Sequence, residues 1–205
     1  MMHVPAGAAV ATEIERLGAD VADPTWEALT AMLHRAYAGQ IALGLRPLAG
    51  RQDADATRRR CRSGETYVAW SEGPSSPGGA GLSSATPAFA SAREGAAPRA
   101  PAGMILFAEV EAAASPAWFL RGDVAHFSLF AVEPALQGGG VGAALLATVE
   151  RRALELGFAE LALSMAEPDG SLLAYYRRRG FRFIQHWRWP YTNYRSAILS
   201  RALRL

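Results

Sequence analysis

Four glycines in five positions, Gly138-Gly139-Gly140-Val141-Gly142, separate an apolar run from an amphipathic stretch. The run before them, residues 125 to 133 (Ala-His-Phe-Ser-Leu-Phe-Ala-Val-Glu), is apolar on both faces and reads as a buried strand. After them Gly142, Leu145, Leu146, Val149, Ala153 and Leu156 recur at helical spacing, with Gly157 placed for the C′ position. A strand that passes directly into a helix through a turn almost free of Cβ atoms constrains the fold twice. It demands an arrangement in which strand and helix pack together, and it leaves the unpaired N–H groups and positive dipole end of the helix open to an approaching anion. Such a turn is a cradle for a pyrophosphate. A tight turn that needs positive φ is the competing reading, and it does not call for four glycines.

The remaining elements group around this unit. Asp23-Pro24 followed by Trp26, Leu29, Leu33 and Tyr37 predicts a helix with Asp23 as its cap, Pro24 at the first helical position and Gly39 as its stop. Residues 53–62 predict a short Arg-rich helix before Gly64. Strands are predicted at 65–70, 103–110, 161–165, 181–189 and 194–203, and a further helix runs from Asp169 through Leu172, Leu173 and Tyr176 to Gly180, with Arg177, Arg178 and Arg179 in its last turn. Strands 65–70 and 103–110 form a hairpin whose tip, at about 71–101, is a Gly, Ser, Ala and Pro-rich segment without periodicity, expected to be a flexible low-complexity insertion. At 205 residues, half of them hydrophobic, one domain over residues 1–205 is the expectation.

Charge and cysteine content narrow the partners. All 21 basic residues are Arg, set against 19 acids for a net charge of +2, but residues 171–205 hold eight Arg and no acid, so the first 170 carry −6. Arg clustering without a recognised module does not make a nucleic-acid binder, so no nucleic acid is expected. The lone Cys61 cannot form an intrachain disulfide and fits a reducing compartment. No basic leader precedes a long apolar run and no window approaches the roughly 18 apolar residues of a span, so a cytoplasmic protein without a membrane partner is expected. Four scattered His offer no metal-ligand spacing, and Cys61 has no nearby His to make it a nucleophile.

Two phosphate-binding patterns fail. A Walker A loop needs a Lys that the chain lacks, and a dinucleotide fold needs an acid after the following strand, whereas Glu160 lies before it. Gln137-Gly138-Gly139-Gly140-Val141-Gly142 instead resembles the Gln/Arg-x-x-Gly-x-Gly/Ala signature of the GNAT superfamily of acyl-CoA N-acyltransferases. A second stretch, Asp169 to Phe181 with Ala174-Tyr175-Tyr176-Arg177-Arg178-Arg179-Gly180-Phe181, is similar to that family's Asn-x-x-Ala-x-x-Tyr-x-x-x-Gly-Phe element. With the order of elements, the resemblance spans about residues 20–203. It implies an α/β (α+β) fold with a mixed, mostly antiparallel central sheet of about six to seven strands flanked by about four helices.

The resemblance further implies transfer of an acetyl group from acetyl-CoA to a primary amine by direct attack, with no covalent enzyme intermediate. Phe130, Ala131 and Val132 would pair their backbone with the pantetheine arm, one of their N–H groups polarising the thioester carbonyl, and Gln137, Gly138, Gly139, Gly140, Val141 and Gly142 would hold the pyrophosphate. Tyr176 aligns with the general acid that protonates the departing thiolate, and Tyr175 next to it is the alternative. Asp169, a further cofactor-binding position, replaces the usual Asn, and its carboxylate offers no donor. Ser164 stands where some relatives carry a Glu base, so Glu133 is the first candidate for the base and His126 the second. The bland readings are a capping or solvated Glu133 and a satisfied core His126. Trp187, Trp189, Tyr191 and Tyr194 wall an acceptor pocket or belong to the core. The alternative function is a non-catalytic acyl-CoA-binding or regulatory module. The acceptor, a small molecule or a peptide, and the oligomeric state, a homodimer included, stay open.

Overall fold

The computed structural model describes residues 12–18, 21–72, 99–109 and 115–204. They form a seven-stranded sheet in the order β1-β2-β3-β4-β5-β7-β6, from β1 (Thr12–Arg16), β2 (Glu65–Glu72), β3 (Arg99–Phe107), β4 (Val124–Val132), β5 (Glu160–Ala166), β6 (Arg182–Trp187) and β7 (Ser196–Ala202). Only β4 and β5 pair in parallel; every other neighbouring pair is antiparallel. Four α-helices flank the sheet, α1 (Asp23–Ala42), α2 (Ala54–Arg62), α3 (Val141–Glu155) and α4 (Gly170–Arg177). The α/β class, strand number and helix number match the sequence expectation.

The sheet separates two apolar layers. On one face Val141, Leu145, Leu146, Val149 and Ala153 of α3 pack with Tyr176 and Phe181 against Ile105, Phe107, Phe127, Leu161 and Leu163. On the other, Trp26, Leu29, Met32 and Leu33 of α1 and Cys61 of α2 pack against Val68, Met104, Leu106, Leu129 and Ala131. A smaller group, Phe119, Val124, Ala162, Trp189 and Ile198, fills the end of the sheet beyond α1.

Several boundaries differ from the sequence reading. Helix α1 is capped by Ala22 with no side-chain bond, and Asp23 is its first residue, paired with Arg58 of α2 at 3.1 Å. The helix passes through Gly39 and stops three residues later, where Gly44 takes the left-handed conformation (φ +77°) that ends it. Strand β1 was not predicted, because Thr-Glu-Ile-Glu-Arg offers a single apolar residue to a buried face. Strands β2 and β3 reach into both ends of the expected insertion, with Pro101 accommodated where the register slips between Ala69 and Trp70. At its other end β3 stops at Phe107 rather than residue 110, where Ala108 adopts φ +53°. The low-complexity segment at 73–98 lies outside the described residues. Of the last two strands, β6 starts one residue late and ends two residues early, and β7 starts two late and ends one early.

Leu145 is fully buried where α3 meets β3 and β4. Leu145→Ala is expected to lower unfolding stability by about 2–5 kcal/mol, read from the midpoint of urea denaturation.

Candidate active site

Strands β4 and β5 are hydrogen-bonded neighbours only from Val124↔Glu160 to Phe127↔Leu163. Both run on, β4 to Val132 and β5 to Ala166, so the sheet opens between them. At the parting point β4 bulges: its register against β3 slips between Ala131 and Ser128, and Leu129 takes φ +45°. A leucine in this region carries strain of about 1–3 kcal/mol. The bulge also exchanges the strand's faces. Ala125 and Phe127 point into the α3 layer, then Leu129 and Ala131 point into the α1 layer while Phe130 and Val132 take over the α3 side. The gap opens into a cavity of about 950 Å³ lined by residues of both layers.

One end of the cavity is the glycine turn. Gln137, Gly138, Gly140 and Gly142 line it, as do Phe130, Ala131 and Val132; Gly139 and Val141 do not. Gly140 caps α3 in the left-handed conformation (φ +91°), and no side chain bonds to the first turn of the helix. The N–H groups of Val141, Gly142 and Ala143 are therefore the orphan donors of a helix start. A Cβ at Gly142 would lie 3.3 Å from Phe130 and Val132 and 3.6 Å from the Tyr175 hydroxyl, so the first two side chains would have to give by a few tenths of an ångström. Arg178 and Arg179 line the same end. Asp169 also lines it but is buried and occupied, accepting from Leu172 N–H (3.0 Å), the Ser171 hydroxyl (2.7 Å) and Gln40 Nε2 (3.1 Å).

The two adjacent tyrosines occupy different places. Tyr175 is half-buried with its hydroxyl over the start of α3 and the Arg179 guanidinium 3.6 Å from its ring centre. Tyr176 is buried against Phe127 and Phe181 and lines the cavity at the parting point. Burial pushes the Tyr176 phenol well above 10, with the neighbouring phenols of Tyr37 and Tyr175 adding to the effect, so it stays protonated.

The opposite end is lined by Tyr37, Phe119, His126, Ser128, Ser164, Trp189, Tyr191 and Tyr194, with Arg60 and Glu109. Glu109 is 5 % exposed, and its carboxylate accepts two hydrogen bonds from Arg60 (2.5 and 2.8 Å) and one from the Ser128 hydroxyl. Its backbone carbonyl lies 3.0 Å from His126 Nε2. A carbonyl only accepts, so Nε2 carries the proton and Nδ1 keeps its lone pair. The ring stacks on Phe119 at 4.5 Å, and desolvation pulls its pKa below the usual imidazole value of about 6.5. Sequence reasoning missed Glu109, Arg60, Ser128 and Tyr37. No spacing announces them, since they come together only through the bulge and the packing of α1 and α2.

Glu133 sits elsewhere. Arg35 of α1 grips its carboxylate with three contacts of 3.1, 3.1 and 2.7 Å, and Glu133 does not line the cavity. Ser164 Oγ accepts from Trp189 Nε1 at 2.9 Å. Trp189, Tyr191 and Tyr194 line the cavity; Trp187 packs behind them. Cys61 is buried with its thiol pushed up to about 11 by desolvation. Among the described residues no cluster of His, Cys, Asp and Glu is arranged to hold a metal ion, and no helix is long and apolar enough to cross a membrane.

The model of the acetyltransferase (GNAT) family matches residues 59–181. No curated protein matches the chain. Among solved structures, the chain is similar to the ribosomal-protein-S18-alanine N-acetyltransferase from Escherichia coli, with 16% identity, a TM-score of 0.58, and coverage of 95% of this chain and 96% of that one. It is similar to an acetyltransferase of the GNAT family from Staphylococcus aureus Mu50 (13% identity, TM-score 0.59, 95% and 100% covered). A GNAT family acetyltransferase from Elizabethkingia anophelis, solved with acetyl-CoA bound, matches at 15% identity and a TM-score of 0.53, with 94% and 98% covered. At these identities the likeness is one of fold.

The depressed pKa of His126 makes it a pH probe. The unfolded chain, with an imidazole near 6.5, binds more protons than the folded one below that pH, so the contribution of His126 to stability is complete above about 6.5 and declines as the pH falls through it. His126→Gln is expected to flatten the fall in melting temperature between pH 7 and pH 5.5, measured by thermal melts of both proteins.

Proposed function

We propose that this chain, which belongs to the acetyltransferase (GNAT) family, moves an acetyl group from acetyl-CoA to a primary amine by direct attack, without a covalent enzyme intermediate. The observation that carries this reading is the parting of β4 from β5 immediately ahead of an uncapped, glycine-built helix start. An unpaired strand edge suits an extended amide-bearing chain, because it offers N–H and C=O groups at strand spacing. A helix start with bare N–H groups suits a pyrophosphate. The two are consecutive along β4 and α3, as the pantetheine and pyrophosphate of one acetyl-CoA molecule are. Phe130, Ala131 and Val132 would take the former, Gln137 to Gly142 the latter, with Arg178 and Arg179 adding positive charge and Asp169 fixing the start of α4 beside them.

Acetyl-CoA supplies an acyl group already activated as a thioester. The protein's part is to deprotonate the amine, stabilise the developing oxyanion and protonate the leaving thiolate. His126 is the better base of the two candidates. Its Nε2 proton is held by the Glu109 carbonyl, its Nδ1 lone pair is unclaimed by that bond, and desolvation keeps it neutral at pH 7. Glu133 is committed to Arg35, and we assign it to holding the β4–α3 turn against α1. The amine nitrogen bonds to the thioester carbon as its proton passes to His126, and the carbon–sulfur bond breaks with the electron pair leaving on sulfur. Tyr176, buried and protonated, gives its hydrogen bond or proton to that sulfur. A backbone N–H at the bulged end of β4 serves the oxyanion.

Acetyl-CoA titrated calorimetrically is expected to bind, and thiol release over a panel of amines is expected to show turnover. Binding without release for any amine favours a non-catalytic CoA-binding module, and no binding removes both readings. Tyr176→Phe is expected to keep acetyl-CoA affinity while kcat falls about 10²-fold or more, and His126→Ala to lower kcat/KM about 10²-fold. Gly140→Ala, which forces a Cβ into the left-handed conformation at the cap, is expected to weaken acetyl-CoA binding about tenfold, one decade being about 1.4 kcal/mol.

A further inference from the structure

The aromatic end of the cavity is built as a rigid box. Trp189 is fixed by its bond to Ser164, and Tyr191 stacks on it with ring centres 5.7 Å apart and planes 15° from parallel. Phe119 packs in one cluster with Trp189, and Tyr37 and Tyr194 line the same cavity. The segment that carries Trp189, Tyr191 and Tyr194 is clasped to the end of α1. Asn193 Oδ1 accepts from Arg46 N–H at 2.8 Å, Asn193 Nδ2 donates to the Gly44 carbonyl at 2.9 Å, and Arg51 donates to the Tyr191 carbonyl at 2.5 Å. The box therefore needs no ordering when a ligand arrives.

Its charges are as informative as its rings. Among the described residues lining this end, the ionised side chains are Arg60 and Glu109, and they neutralise each other through a bidentate pair, with Ser128 on the carboxylate and Gln52 on the guanidinium at 2.9 Å. Among the described lining residues at this end neither ion is left to receive a carboxylate, a phosphate or a second ammonium, and Arg51, which donates to the Tyr191 carbonyl, does not line the cavity. Tyr37 and Tyr194 are neutral, the latter pushed up to about 12 by burial. An acceptor carrying a carboxylate or a second charge would have that group desolvated against aromatic faces without a partner. An apolar or aromatic body would lie between rings that favour stacked and edge contacts.

Building on the acetyltransferase reading, we propose that the acceptor is a monoamine on a compact apolar or aromatic body, an arylalkylamine type, seated against Trp189 and Tyr191 with its amine toward His126. Polyamines and free amino acids are the excluded classes.

The test compares 2-phenylethylamine with phenylalanine, which differs by one carboxylate, and with spermidine, by acetyl-CoA-dependent thiol release and by calorimetric binding of each amine. Expected is a kcat/KM for 2-phenylethylamine at least tenfold above each of the others. Trp189→Ala is expected to abolish that preference while acetyl-CoA still titrates, and Tyr191→Ala, at a half-buried position, to reduce it in the same direction should Trp189→Ala fail to fold. Equal or greater turnover of phenylalanine or spermidine overturns the box and leaves the transferase reading standing, as does a preference unmoved by either substitution. Calorimetric binding of 2-phenylethylamine but not phenylalanine, with no thiol released by any amine, supports the box and overturns the transfer.

Discussion

Where β4 stops bonding to β5, five residues of strand edge, 128–132, remain inside the protein, and the site is organised by the need to use those peptide groups. A buried N–H or C=O without a partner costs about 1–3 kcal/mol, so an internal edge persists only where something else can occupy it. The bulge at Leu129 is what separates the strands, and it holds a leucine in a left-handed conformation to do so. Because β4 feeds directly into the glycine turn, the same strand that offers the edge also sets where α3 begins. An extended ligand bound along the edge is thereby delivered with its far end at the helix start.

The opposite end of the cavity depends on one residue used twice. Glu109 follows β3, and its carboxylate holds Ser128 while its carbonyl holds His126, two side chains on the same face of β4. Arg60 neutralises that carboxylate and passes the connection to Gln52, Thr57 and Thr30, so that α1, α2, β3 and β4 share one chain of hydrogen bonds. A buried network whose members are all satisfied rigidifies its surroundings, and a break leaves a charge uncompensated. Here the rigidity fixes the tautomer of His126 and keeps Arg60 and Glu109, the ions beside it among the described residues, from acting as ligands for anything else.

How much of this was legible in the sequence follows from the range of each interaction. The stripe on α3, the cap at Asp169 and the glycine turn are local patterns, and they appear where the spacing places them. Neighbours in sequence were harder: Tyr175 and Tyr176 are equivalent as letters and both line the cavity, and only the packing of α4 against Phe127 and Phe181 buries Tyr176 while Tyr175 stays half-buried with its hydroxyl over the start of α3. Glu133 looked available as a base because its partner, Arg35, is 98 residues away on α1. His126 and Ser128 sit in a run that reads as apolar on both faces, yet they are half-buried because that face borders a cavity, which no periodicity records.

The uneven charge of the chain acquires a meaning from the same geometry. Of the eight Arg after residue 170, Arg182, Arg195 and Arg201 pair with Glu160, Glu167 and Glu150, so part of the basic tail serves to balance the acidic body of the fold. Arg178 and Arg179 instead line the turn end of the cavity, where they add to the partial positive charge of the α3 start. Asp169 does not cancel this, because its carboxylate is engaged by the first turn of α4 and by Gln40. At the other end Arg60 and Glu109 cancel locally. The cavity is thus cationic where the glycines are and neutral where the aromatics are, and a ligand with a polyanionic tail is oriented by that difference before any contact at the reacting centre is made. Net charge, close to zero over the whole chain, conceals this polarity.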